Sequence, residues 1–184
     1  MNYADIDWFR SKRVQLIENV MGVDSYEEFL ENNVRSMYSY TDEYGPFGHC
    51  LLVDKSSNVY DCEFEKGMLN SEMIVVKYDE LVGIYQMKDG KVVQETDLSH
   101  LRRNQIQDLS DENEYSWEGD ILGNQPCGWG EVFDSQNHLV YVGFRVGGVN
   151  VCFGTVYYPT IGVVMYEGHF CRGKRWGFGR SFLQ

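Results

Sequence analysis

Through the last third of the chain, apolar and polar positions alternate as in a strand, break at a turn, and resume, three times over. Starting at Trp117, Tyr141 and Tyr166, the sequence reads WEGDILGNQPCGWGEVF, YVGFRVGGVNVCFGTVY and YEGHFCRGKRWGFGRSF. Taking each opening aromatic as offset 0, offset 2 is Gly119, Gly143 and Gly168, and offset 13 is Gly130, Gly154 and Gly179. Offset 12 holds Trp129, Phe153 and Phe178, and offset 16 holds Phe133, Tyr157 and Phe182. The interval from Trp117 to Tyr141 nearly equals that from Tyr141 to Tyr166, and a fixed period of this kind marks a repeat array. Offsets 0 to 4 alternate as a strand requires. Asn124-Gln125-Pro126, Gly147-Gly148 and Arg172-Gly173-Lys174 then supply turn residues. Each copy therefore predicts a β-hairpin. The returning strand carries glycine at offsets 11 and 13, with Cys152 at offset 11 of the middle copy. Glycine weakens a strand, so its recurrence predicts a bulky group lying over the backbone, with the aromatic of the neighbouring copy as the expected one.

Upstream the pattern changes. Residues 1–37 read as an N-terminal helical cap of two short helices. Phe9, Arg13, Leu16, Ile17 and Val20 share one side of the first, which Gly22 stops. The second opens on a Ser25/Glu28 capping box, with Tyr26, Phe29, Leu30, Val34 and Met37 as its stripe. Residues 38–94 read as degenerate hairpins. Pro46-Phe47-Gly48 followed by Leu51 imitates offsets 11 to 16, and Tyr60 to Gly67 imitates offsets 0 to 7. Tyr85 then follows Tyr60 at the interval that separates Tyr166 from Tyr141. Met73 to Tyr78 and Lys91 to Val93 have strand composition, and Lys88-Asp89-Gly90-Lys91 is a hairpin turn. Residues 95–114 break the period as an insertion or linker. Leu98, Leu101, Ile106 and Leu109 suggest a short helix packed on the sheet there.

The opening tyrosine, the Glu-Gly, the glycine at offset 7 and the Gly-x-Gly of Tyr166 to Phe182 together resemble the MORN repeat. The resemblance is strongest in this last copy and closest to the large protist-type arrays. It implies a mainly β fold: one elongated, single-layer antiparallel sheet of successive hairpins, with the N-terminal helices as its cap. It also implies a scaffold or an accessory segment of an enzyme complex.

Composition narrows the function classes. With 43% hydrophobic and 15% aromatic residues the 184-residue chain is a folding sequence. No apolar run is long enough to span a bilayer, and Met1 to Arg10 is not followed by a signal-peptide core. A cytoplasmic protein is expected, with cytoskeletal or membrane association as a further expectation. The net charge of −12 lies entirely in residues 1–114, which hold 23 acidic and 11 basic side chains, whereas residues 115–184 hold five of each. That balance argues against nucleic acid as a partner. Cys50, Cys62, Cys127, Cys152 and Cys171 are scattered without metal-ligand spacing and read as small apolar fillers. His49, His100, His138 and His169 form no metal or nucleophile pattern, and the glycines lack the lysine and hydroxyl of a phosphate loop. Catalytic, cofactor and metal sites are expected to be absent.

The leading expectation is thus a non-enzymatic interaction module. Its partner-binding candidates are Trp117, Trp129, Tyr141, Phe153, Tyr166, Phe170, Trp176 and Phe178, because tyrosine and tryptophan dominate binding hot spots. The competing reading makes most of these rings the thin core, stacked on the glycines. A second function class is a weak, salt-sensitive phospholipid patch of Arg172, Lys174, Arg175 and Arg180. The final strand, Gly177 to Phe182, is expected to be an open edge that invites another strand. The expected result is a homodimer through the third copy. The alternative is a monomer whose edge is shielded by a longer natural chain.

Overall fold

The computed structural model describes residues 34–43, 45–107 and 115–183. Thirteen strands form two antiparallel sheets. The first has the order β1 (Val34–Asp42), β2 (Gly45–Asp54), β3 (Asn58–Glu65), β4 (Met68–Lys77), β5 (Glu80–Lys88) and β6 (Lys91–Glu95). The second runs from β7 (Arg102–Gln107) through β8 (Ser116–Leu122), β9 (Gln125–Phe133), β10 (Leu139–Val146), β11 (Val149–Tyr157) and β12 (Val164–Cys171) to β13 (Lys174–Ser181). The two sheets belong to two compact units of the chain. The single elongated sheet that the resemblance implies is therefore two. Between β6 and β7 the Asp97 carboxylate accepts from the Ser99 amide, and the Leu101 amide bonds the Leu98 carbonyl. These turns take the chain out of the ladder.

The three copies are the hairpins β8–β9, β10–β11 and β12–β13. Their glycines do more than recur: they are in register. Gly119 faces Gly130, Gly130 faces Gly143, Gly143 faces Gly154, Gly154 faces Gly168, and Gly168 faces Gly179. Six strands are thus crossed by one uninterrupted glycine row. The bulk above it comes from each hairpin's own opening aromatic, not from the neighbouring copy. A Cβ built on Gly130 would meet Cζ2 of Trp117, one on Gly154 would meet the Tyr141 ring, and one on Gly179 the Tyr166 ring. The polar tips close back on the same hairpin. The Trp117 indole donates to the Asp120 carbonyl at 3.0 Å, the Tyr141 hydroxyl to Phe144 at 2.9 Å, and the Tyr166 hydroxyl to His169 at 2.8 Å. Trp117, Ile121, Val132, Tyr141, Tyr166 and Phe170 form the core on this face, with Ile106 and Tyr115 packed against them.

Just beyond the glycine pair each returning strand bulges relative to the strand it faces, as between Gly143/Gly154 and Phe144/Val151. Offset 11 falls in this bulge and has positive φ in every copy: Gly128 at 134°, Cys152 at 56° and Gly177 at 68°. The same device recurs in the first sheet, at Gly48 (67°) in β1–β2 and Ser71 (65°) in β3–β4. It places the openings of the first two degenerate copies at Met37 and Tyr60. Gly48, rather than Pro46, is therefore the offset-11 residue. The row persists there in small side chains, with Ser39 facing Cys50 and Cys50 facing Cys62. The third degenerate opening is Gly83. The turn Asp89-Gly90 follows the turn Lys66-Gly67 at the same interval by which Tyr60 follows Met37, and both turns have positive φ. Here ring and glycine have exchanged places, and the Tyr85 ring lies over Gly83. Neighbouring hairpins are tied through their turns. The amides of Gly90, Gly147 and Gly173 donate to the carbonyls of Leu69, Pro126 and Asn150 at 2.8 to 2.9 Å.

Two further expectations change. Val34 and Met37, assigned to the second helix, belong to strand β1, and Met37 is buried; the rest of the helical cap lies outside the described residues. The short helix expected within 95–114 is strand β7 over 102–107, exposed except for Ile106, which stands opposite Trp117. Leu109 lies outside the described residues.

Candidate functional site

The core rings occupy one face of the second sheet, so residues adjacent to the glycine row must point to the other. Offset 12 precedes the glycine of offset 13, which puts Trp129, Phe153 and Phe178 together on this outer face. Trp129 packs edge-on to Phe144, its cross-strand partner, with ring centroids 5.1 Å apart, and Phe153 packs edge-on to its partner His169 at 5.9 Å. The result is an aromatic row across the sheet, with Trp129, Phe153 and His169 half-buried and Phe178 61% exposed. Beside it, on the far side of the glycine row, the register lines up Gln105, Glu118, Glu131, Val142, Thr155, Glu167 and Arg180.

The two rows flank an open-sided cavity of about 390 Å³ at the β7 end, lined by Arg103, Asn104, Gln105, Glu118, Gly119, Trp129 and Glu131. Its wall is fixed by Asp120, whose carboxylate accepts from the Trp129 amide at 3.1 Å and lies 3.6 Å from the Arg103 guanidinium. Arg103 is largely exposed, so that ion pair contributes little to stability. Glu118 and Glu131 stand directly opposite each other, both exposed.

Burial holds the His169 imidazole below its ordinary value of 6.5, so the aromatic row is uncharged at neutral pH. Below that value the unfolded chain takes up a proton that the folded chain resists. The residue's contribution is therefore complete above about pH 6.5 and is lost as the pH falls through the lowered folded value. Replacing His169 by glutamine is expected to flatten that part of a stability-against-pH profile. An unchanged profile from chemical denaturation would refute the assignment.

A second cavity, of about 380 Å³, opens on the core face between Tyr115, Val140, Tyr141, Arg145, Val149, Asn150, Val156 and Arg172. Arg145, 8% exposed, donates to the Gly148 carbonyl there. Burial pushes the Tyr141 phenol upward, which keeps it a neutral hydrogen-bond donor.

The candidate partner residues are thus divided. Trp117, Tyr141, Tyr166 and Phe170 are buried in the core, whereas Trp129, Phe153 and Trp176 are half-buried and Phe178 is exposed. The four basic residues of the last copy do not share one plane. Arg175 lies over the Tyr166 ring at 4.6 Å on the core face, Arg180 pairs in register with Glu167 on the outer face, and Arg172 and Lys174 flank the turn at Gly173. The facing glutamates carry no signal in the linear sequence, although Glu118 opposite Glu131 follows once Gly119 is set opposite Gly130. Among the described residues no group of three or more histidine, cysteine or acidic side chains is arranged to hold a metal. No family model matches the chain, and the search of curated proteins returned no match.

Proposed function

We propose that this chain is a non-enzymatic scaffold of the MORN-repeat type, and that the outer face of its second sheet docks a protein partner. The observation that carries this reading is the accessible aromatic row of Trp129, Phe153 and Phe178, set on a rigid ladder at one ring per hairpin. Rings that add little conformational freedom but large contact area are what interface centres use. The core rings on the opposite face explain why the repeat spends two aromatics per hairpin: offset 0 holds the sheet together, and offset 12 is left for contact. Lipid binding receives less support, because the basic side chains divide between the two faces. Strand β13 pairs with β12 alone among the described residues, which supports self-association as a second mode of contact.

Affinity capture from the native cell tests the reading. Phe178→Glu, at an exposed position that the fold does not need, is expected to abolish recovery of a specific partner, while Val163→Glu in the exposed β11–β12 loop retains it. Equal recovery with both variants would remove the outer face from consideration.

A further inference from the structure

We infer that the cavity beside Trp129 seats the arginine or lysine side chain of a basic, extended segment of the partner, an inference that rests on reading the outer face as a docking surface. Like charges directly opposed across antiparallel strands destabilise a sheet, yet Glu118 and Glu131 face each other at the mouth of this cavity. Neither is bonded to a cation among the described residues. Arg103, the one cation among the described residues lining the cavity, is directed to Asp120, two register positions from Glu118. A guanidinium or ammonium group entering the cavity would meet both carboxylates and the indole of Trp129, the aromatic that attracts cations most strongly. The indole packs edge-on against Phe144, and Asp120 holds the backbone amide of the same residue.

The volume of about 390 Å³ is ample for a whole arginine or lysine side chain and lies at the lower end of small-ligand sites. The occupant is taken to be an extended protein segment because the two rows continue across the sheet from the cavity. Phe153 and Phe178 lie on one side and Val142 and Thr155 on the other, ready for the residues that follow the cation. Nucleic acid is disfavoured by the same carboxylates.

The test uses the full chain and fluorescence anisotropy of a short labelled peptide alternating arginine and valine. A second peptide carries citrulline, which keeps the shape and loses the charge. The arginine peptide is expected to bind in a salt-sensitive manner. Citrulline, or the double substitution Glu118→Gln with Glu131→Gln, should weaken it about ten-fold, as expected from losing a cation–aromatic contact together with its carboxylates. The glutamine variant should melt slightly above the wild type, since a repulsion has been removed, so lost binding cannot be put down to misfolding. Equal binding of the citrulline peptide, or no binding of the arginine peptide, overturns the inference. Competition by spermine at equal affinity also overturns it, by assigning the cavity to free polycations. If partner capture depends on Phe178 but not on the glutamates, the docking face stands and the cation seat falls. If it depends on neither, both fall.

Discussion

Replacing Gly130 with valine is expected to destabilise the second sheet by about 3 kcal/mol or more, the upper range for bulk forced into a closed site. A Cβ there would sit 2.6 Å from the Glu118 carbonyl oxygen, 2.6 Å from the Trp117 ring and 2.7 Å from the Gly119 Cα. Two of these neighbours are backbone, and the third belongs to a side chain with no exposed surface. Nothing nearby can yield. By contrast, Lys174→Ala at the exposed start of β13 should stay within about 0.5 kcal/mol. Urea denaturation followed by tryptophan fluorescence reports on this unit, which carries Trp117, Trp129 and Trp176. Small and equal effects from the two substitutions would show that the row is not under the rings.

Removing the ring should cost as much as intruding on its seat. Trp117→Ala is expected to lose about 3–5 kcal/mol, as large buried aromatics do. It leaves a void over Gly119 and Gly130 and strips the Asp120 carbonyl of its indole donor. The two changes should also be coupled. With Trp117 gone, one of the three obstacles to a side chain at position 130 has been removed. Gly130→Ala should then cost less than in the native background, by an interaction of about 0.5–3 kcal/mol. Strict additivity in that double-mutant cycle would mean that ring and glycine do not touch.

The hairpins of the second sheet are legible in the sequence because glycine and aromatic spacing is a local property of the chain. The owner of each stacked ring is not. A linear reading makes the next copy the natural neighbour, whereas Tyr141 lies along its own strand and reaches both Gly143 and Gly154. The first sheet hides its period for a related reason. Ser71 adopts the positive φ that glycine marks elsewhere, and the exchange of Gly83 with Tyr85 displaces the visible tyrosine along the strand. The turn glycines Gly67 and Gly90 keep the true spacing. Strand β7 reads as a helix because an exposed edge strand has no inner face to alternate against. Only Ile106 meets the core, and the leucines before it fall by chance at helical intervals. The outer aromatic row is available from parity alone, since offsets 12 and 13 are neighbours and must face opposite ways. The cavity is not, because it depends on β7 pairing with β8, which brings Arg103, Asn104 and Gln105 beside Glu118.

Because each ring rests on the glycines of its own hairpin, ring and seat are inherited together. A tandem duplication of one unit copies ring and glycine seat in a single event, and the copied glycines also meet the row of the hairpins beside them. Loss works differently: a hairpin that gives up its glycine must find its remedy within its own two strands. Gly83 and Tyr85 have the arrangement such a remedy would leave, with glycine at the ring's position, the ring at the glycine's and the contact kept. An array built this way can lengthen by copying.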